Sequence, residues 1–189
     1  MKKLKYSIGA IAALTALAVT SVAVAHAVVV IKGTHKDDTL TGTAGRDLVY
    51  ARGGNDIVNA GDGNDRVHGM AGNDAVNGDA GNDRLWAGGG NDSVNGGEGN
   101  DVLRGRPGDD SLDGGPGNDR LWPGRGTDKQ QGGEGDDVLH ALARDNQVDT
   151  IDCGPGNDVV WLNAKETTDV HVNCETVKTV TVVGDGDDS

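Results

Sequence analysis

Aspartate recurs every nine residues through most of this chain. It stands at Asp38, Asp47, Asp56, Asp65, Asp74, Asp83, Asp92, Asp101, Asp110, Asp119, Asp128 and Asp137, and Asp149 and Asp158 resume the spacing after a three-residue slip. Most of these follow asparagine in a glycine-rich stretch, as at Asn55, Asn64, Asn73, Asn82, Asn91, Asn100, Asn118 and Asn157. A carboxylate at one fixed place in a tight turn, with glycine carbonyls around it, is an all-oxygen donor set. Hard divalent cations prefer such a set, and softer metals do not. Turn geometry alone asks for Asp or Asn in some copies, but not for Asp in every copy.

The elements that must position these carboxylates follow from the same period. In the unit Gly96-Gly97-Glu98-Gly99-Asn100-Asp101-Val102-Leu103-Arg104, the spacing predicts six residues of turn and three of strand. Glycine supplies the positive φ of the turn, and Asn tolerates it better than most residues. The eighth position is aliphatic at Leu40, Val49, Val58, Val67, Val76, Leu85, Val94, Leu103, Leu112, Leu121 and Leu139, so it turns inward while positions seven and nine face out. Two units then make one coil of a solenoid with two parallel sheets, and residues i and i+18 become neighbours. Burying one Val or Leu contributes about 1.5–3 kcal/mol. Ordering nine residues opposes this with about 1–2 kcal/mol of backbone entropy each, and that deficit is the physical reason to expect an ion in the fold. Gln130 interrupts the aliphatic series with Lys129 beside it, which predicts a weak coil just before the slip.

The composition bounds the answer further. The chain has 189 residues, 32 glycines, no phenylalanine and a formal net charge of −13. Any core is thin and aliphatic. The acidity excludes a general nucleic-acid binder, which needs a basic footprint. The N-terminus carries Lys2, Lys3 and Lys5, then an Ala-rich apolar run from Ile8 to Ala25, with small-x-small sites at Ala23-Val24-Ala25 and Ala25-His26-Ala27. This reads as a secretory signal peptide over 1–27, with a secreted or cell-surface-associated protein expected and no membrane contact after cleavage. An uncleaved anchor reaching Ile31 is the alternative. In an oxidising compartment, Cys153 and Cys174 are expected to form a disulfide.

The units match the pattern Gly-Gly-x-Gly-x-Asp-x-aliphatic-x over about residues 33–161, and the chain therefore resembles the hemolysin-type, or RTX, calcium-binding repeat family. The resemblance implies an all-β parallel β-roll over 28–161, with several Ca²⁺ ions between successive turns of one edge. It implies ligation by Asp47, Asp56, Asp65, Asp74, Asp83, Asp92, Asp101, Asp110, Asp119, Asp128, Asp137 and Asp158, with turn carbonyls such as those of Gly61, Gly63, Gly97, Gly99, Gly115 and Gly117. The matching departs from the pattern at Lys36, at Arg52, Met70, Asp79 and Arg106 in place of the second glycine, and at Pro123 in place of a first. Residues 162–183 alternate as capping strands, and 184–189 form an acidic tail.

The two outer faces differ. One carries Tyr50, Arg66, Arg84, Trp86, Arg104, Arg120 and Trp122, with His68 and His140, and Trp161 joins it if the slip is only a longer loop. Arg104 falls between Trp86 and Trp122, within cation–π reach. This face is either ordinary cross-strand packing or a binding surface for a glycan, a cell-wall polymer or a protein, as in an adhesin-like module. The opposite face offers Asn59, Asn77 and Asn95 as a hydrogen-bonded ladder. No metalloprotease helix motif and no nucleophile elbow is present, and the five histidines are scattered, so the chain reads as a non-enzyme.

Overall fold

The computed structural model describes residues 28–143, 145, 147–165 and 168–181, so the expected signal peptide and acidic tail lie outside the described residues. Within them the chain forms strands and no helix. In chain order these are β1 (Val29–Lys32), β2 (Thr39–Thr41), β3 (Asp47–Gly53), β4 (Ile57–Asn59), β5 (Arg66–Ala71), β6 (Ala75–Asn77), β7 (Arg84–Gly89), β8 (Ser93–Asn95), β9 (Val102–Pro107) and β10 (Ser111–Pro116). They continue with β11 (Arg120–Arg125), β12 (Lys129–Glu134), β13 (Val138–Ala141), β14 (Thr150–Asp152), β15 (Val159–Asn163), β16 (Val170–Val172) and β17 (Thr176–Val180). Odd-numbered strands form one nine-stranded sheet and even-numbered strands one eight-stranded sheet, each in sequence order. All pairings are parallel, and Leu85↔Leu103 and Val76↔Val94 show the eighteen-residue step. The protein is a parallel β-roll.

The core is the line of eighth-position side chains between the sheets, with Val49, Val67, Leu85, Leu103, Leu121, Leu139 and Val160 buried on one side and Val58, Val76, Val94, Leu112 and Ile151 on the other. A second inward line comes from position one, two residues further along the strand, where Ala51, Ala60, Ala87, Ala141 and Cys153 are also buried. Glycine or a small side chain fills most of these places, with Pro123 buried at one and Leu162 half-buried at another, so the core stays thin.

The strands are longer than the spacing predicts. β3 runs seven residues and β5, β7, β9 and β11 run six. Pairing continues through positions two and three, as in Arg52↔Met70 and Gly124↔Arg106, because position two bends the chain at positive φ without breaking the ladder. Arg52, Met70, Asp79 and Arg106, which replace the second glycine, adopt that conformation, at φ 86°, 83°, 71° and 87°, whereas Thr34 and Thr43 at the same place in the first coil do not. In those four turns position two is thus a backbone requirement that glycine meets without strain and these side chains tolerate.

The slip is a longer loop between β13 and β14, and the register survives it. Lys129 pairs with Thr150 and His140 with Trp161, each twenty-one residues on. Gln130 is buried in the core line at 3% exposure, and its Nε2 donates to the His140 carbonyl at 3.1 Å while its Oε1 finds no partner. β16 and β17 add one further rung to each sheet, β1 opens the stack against β3, and the Cys153–Cys174 disulfide ties the last coils together. Because Val29–Ile31 belong to β1, the last apolar residues of the N-terminal run are committed to the roll. No helix among the described residues is long and apolar enough to cross a membrane.

Candidate metal centres

Each repeated aspartate stands immediately before a strand, at one of the two edges where the chain passes between sheets. The carboxylates form two ladders. At the edge leading into the nine-stranded sheet, the backbone N–H of Asp47 donates to Oδ1 of Asp65, Asp65 to Asp83, Asp83 to Asp101, Asp101 to Asp119, Asp119 to Asp137 and Asp137 to Asp158, at 2.7–2.8 Å. At the other edge the same bond links Asp38, Asp56, Asp74, Asp92, Asp110, Asp128 and Asp149 in turn, at 2.7–2.9 Å.

One carboxylate oxygen is therefore consumed by the fold. The other is not. Oδ2 of Asp56, Asp65, Asp74, Asp83, Asp92, Asp101, Asp110, Asp119, Asp128, Asp137 and Asp158 is buried with no hydrogen-bond partner. A buried, unpaired anionic oxygen is costly, and its repetition at equivalent places marks a position made for a counter-charge. Among the proposed ligands only Asp47 differs, because its Oδ2 accepts the Thr43 N–H at 2.5 Å. Asp38 is likewise closed by the N–H and hydroxyl of Thr34. The first coil satisfies its own carboxylates.

The surroundings are oxygen-rich. Oδ2 of Asp101 and the carbonyl oxygen of Gly114 both lie 2.5 Å from the point where Gly96 would carry a β-carbon. The carbonyl oxygens of Gly63, Gly99 and Gly117 lie against the α-carbons of Gly81, Gly117 and Gly135, and those of Gly97 and Gly115 against Gly115 and Gly133, too close for any β-carbon. Gly61 lies over the Thr43 carbonyl in the same way as Gly97 lies over that of Asp79. No cluster of three or more His, Cys, Asp or Glu side chains suited to a metal occurs among the described residues. Ligation therefore has to combine one carboxylate per turn with backbone carbonyls, a donor set that suits a hard cation.

The electrostatics agree. Burial raises Asp110 from the ordinary 3.8 to about 8, Asp83, Asp119, Asp128 and Asp149 to about 7, and Asp56, Asp65, Asp92, Asp101 and Asp137 to about 6. The ladder hydrogen bond from the preceding aspartate lowers each value and offsets part of the rise, and neighbouring carboxylates raise most of them further. A divalent ion reverses this penalty by favouring the ionised form.

Two ladder members escape the nine-residue register. Asp149 N–H donates to Asp169 Oδ1 at 3.1 Å, and Asp158 N–H donates to Glu175 Oε2 at 2.8 Å. The signal for Glu175 was an acid followed by x-aliphatic, in Glu175-Thr176-Val177, without the glycines, while Asp169 precedes an alternating strand in which His171 takes the aliphatic place. A third ladder runs at position five, where Oδ1 of Asn64, Asn82 and Asn100 accepts the N–H of Asn82, Asn100 and Asn118. The ladder expected at Asn59, Asn77 and Asn95 does not form, and Asn77 donates instead to the Asp79 carboxylate at 2.6 Å.

Tyr50, Arg66, Arg84, Trp86, Arg104, Arg120 and Trp122 all fall on the nine-stranded sheet, as expected. Position nine forms a column along it. Lys32 lies 6.0 Å over Tyr50, which stacks on His68 at 5.1 Å, and His68 stacks on Trp86 at 4.6 Å. Arg104 lies 5.1 Å over Trp122, His140 stacks between Trp122 and Trp161 at 4.5 and 6.3 Å, and Lys178 closes the column 4.6 Å over Trp161.

Fold and site together define a cation-binding solenoid that uses one carboxylate and backbone carbonyls per turn. The chain belongs to the RTX calcium-binding nonapeptide repeat family, whose four-copy model matches residues 33–67, 59–94, 68–103, 95–129 and 131–164. Calcium binding is the property those repeats carry, and proteins built on this roll are typically calcium-binding and structural rather than catalytic. No curated protein matches the chain in sequence.

Proposed function

We propose that this protein is an extracellular calcium-binding roll that folds as calcium fills its turns. Asp56, Asp65, Asp74, Asp83, Asp92, Asp101, Asp110, Asp119, Asp128, Asp137 and Asp158 hold the ions through Oδ2, with turn carbonyls completing the shell. Asp47 is at most a weak contributor. The observation that carries this reading is the buried, unpartnered Oδ2 repeated down both edges. Without a counter-charge these oxygens oppose the compact state, so binding and folding are one equilibrium. The expected signal peptide and the Cys153–Cys174 disulfide both suit an oxidising, calcium-rich exterior.

The test is far-UV circular dichroism of residues 28–189 during a calcium titration, with magnesium in parallel. A cooperative coil-to-β transition with calcium alone supports the reading. A chain that is already fully β in chelator at about pH 8, where the buried carboxylates are ionised, defeats the coupling to folding. N-terminal sequencing of protein collected from the medium checks export, with a new terminus expected after Ala25 or Ala27.

A further inference from the structure

The outward positions of the two sheets carry opposite charge. On the nine-stranded sheet, positions seven, nine and two bring Arg52, Arg66, Arg84, Arg104, Arg106 and Arg120 to one surface, and no aspartate or glutamate stands at those positions. None of these arginines pairs with a carboxylate among the described residues. The eight-stranded sheet and its turns present Asp62, Asp79, Glu98, Asp113, Glu134 and Asp152, with Lys129 the one cation at the equivalent places. A chain of net charge −13 thus carries six of its nine arginines at the outward positions of one sheet.

The column of rings decides how that face can work. Tyr50, His68 and Trp86 lie within 8° of parallel at 4.6–5.1 Å, and Trp122 and His140 within 10° at 4.5 Å. Within each stack the rings turn their π-faces toward one another along the strand-pairing direction rather than outward, which disfavours a stacking platform of the single-strand nucleic-acid type. What remains outward is ring edge, the positive end of the aromatic quadrupole, together with guanidinium groups. Burial and the nearby Arg106 and Arg66 push the His68 imidazole below its usual range, so it adds no charge of its own to the column. Both kinds of exposed group attract anions.

The pitch of the face is regular. β5, β7, β9 and β11 each contribute at least one arginine, so one positive charge rises about every 4.8 Å along the axis and the sheet spans about 38 Å. We infer that this face binds a linear anionic polysaccharide lying along the roll axis, with its acidic groups on the arginine row and its hydroxyls against the ring edges. Duplex DNA carries about one charge per 1.7 Å, far denser than the row, and would meet the aspartate-rich edges on either side. The inference rests on the folded roll but not on calcium being what folds it.

The probes are dextran sulfate, carboxymethyl-dextran, uncharged dextran and duplex DNA, with binding measured by calorimetry over a range of salt on protein whose β spectrum is intact. Dextran sulfate, carboxymethyl-dextran or both should bind, separating sulfate from carboxylate as the favoured group, and uncharged dextran should not. The combined variant Arg66→Gln, Arg84→Gln, Arg106→Gln, Arg120→Gln should lose most of this binding and lower the salt slope by about three, at about 0.7 per contact, with an unchanged calcium transition. The single variants Arg84→Gln and Arg120→Gln should each lower it by about 0.7, which keeps the test open if the combined variant folds poorly. Lys36→Gln with Lys129→Gln, off this face, should change nothing. Binding that ignores the arginine variants, binding to uncharged dextran of equal strength, or duplex DNA bound as tightly as dextran sulfate would each overturn the inference. A roll that proves β without calcium refutes the folding mechanism and leaves this experiment valid.

Discussion

Replacing Asp101 by asparagine separates the two jobs of one carboxylate. Oδ1 holds the Asp83 N–H at 2.7 Å, and an asparagine carbonyl can keep that bond. Oδ2 is buried, unpartnered and close to the Gly114 carbonyl, and an amide –NH₂ in its place carries no charge and can donate to that oxygen. In chelator at mildly alkaline pH the substitution should therefore stabilise the folded roll. The rise of Asp101 from 3.8 to about 6 sets an upper limit of about 3 kcal/mol at about 1.4 kcal/mol per pH unit. Water and salt at the turn edge reduce this to about 1–2 kcal/mol. In calcium the sign reverses, because a lost site removes about 2.7 kcal/mol of linkage when calcium is at a hundredfold excess over its dissociation constant. Osmolyte-driven folding in chelator and urea unfolding in calcium, each for wild type and Asp101→Asn, read both terms, and the order of the two proteins should exchange. If asparagine destabilises by the same amount in both conditions, the carboxylate serves only turn geometry and the cation argument at this position is wrong.

Three further outcomes follow from the same structure. In chelator the β signal should be greatest near and below pH 4 and should fade as pH rises through 6 to 8. The native aspartate values are raised above the ordinary 3.8, so their stabilising contribution is complete below the unfolded value and is lost through the folded ones; a circular-dichroism pH series that strengthens toward alkaline pH would refute this. Gln130→Leu should raise the thermal midpoint in calcium, because it removes a buried amide whose Oε1 has no partner, a gain of about 1 kcal/mol after the loss of the bond to His140; a lowered midpoint would show that the amide is needed. Reducing Cys153–Cys174, which closes a twenty-one-residue separation, should cost about 3 kcal/mol and loosen β14 to β17 first; hydrogen exchange that rises uniformly along the roll would contradict that local effect.

The roll was legible because its signals are redundant. An aspartate every nine residues and an aliphatic residue two places later fix the coil, the sheets and the inward line, and Oδ2 of eleven of the twelve expected ligands is buried without a hydrogen-bond partner. Asp47 differs, because its Oδ2 accepts from Thr43, which stands where the repeat calls for its second glycine, as Thr34 does before Asp38. Strand length was under-read, since glycine at positions one to three reads as turn even where the backbone stays paired. Asp169 and Glu175 were missed because the closing coils drop the glycines and keep only the acid and the strand behind it. The outward asparagine ladder failed for a related reason. Asn77 reaches Asp79 on its own strand side, whereas the position-five asparagines face a backbone N–H one coil away and have an acceptor role waiting for them.

The column on the nine-stranded sheet also makes the protein its own optical ruler. Its three tryptophans, Trp86, Trp122 and Trp161, stand on β7, β11 and β15, two strands apart each time, and each has a cation or an imidazole against its ring only once that rung has formed. A neighbouring cation or a stacked imidazole changes indole emission, so three variants that each keep a single tryptophan would time the closing of three separate coils in a stopped-flow trace. Simultaneous signals would mean that the roll closes as one unit. Staggered signals would give the direction in which it winds.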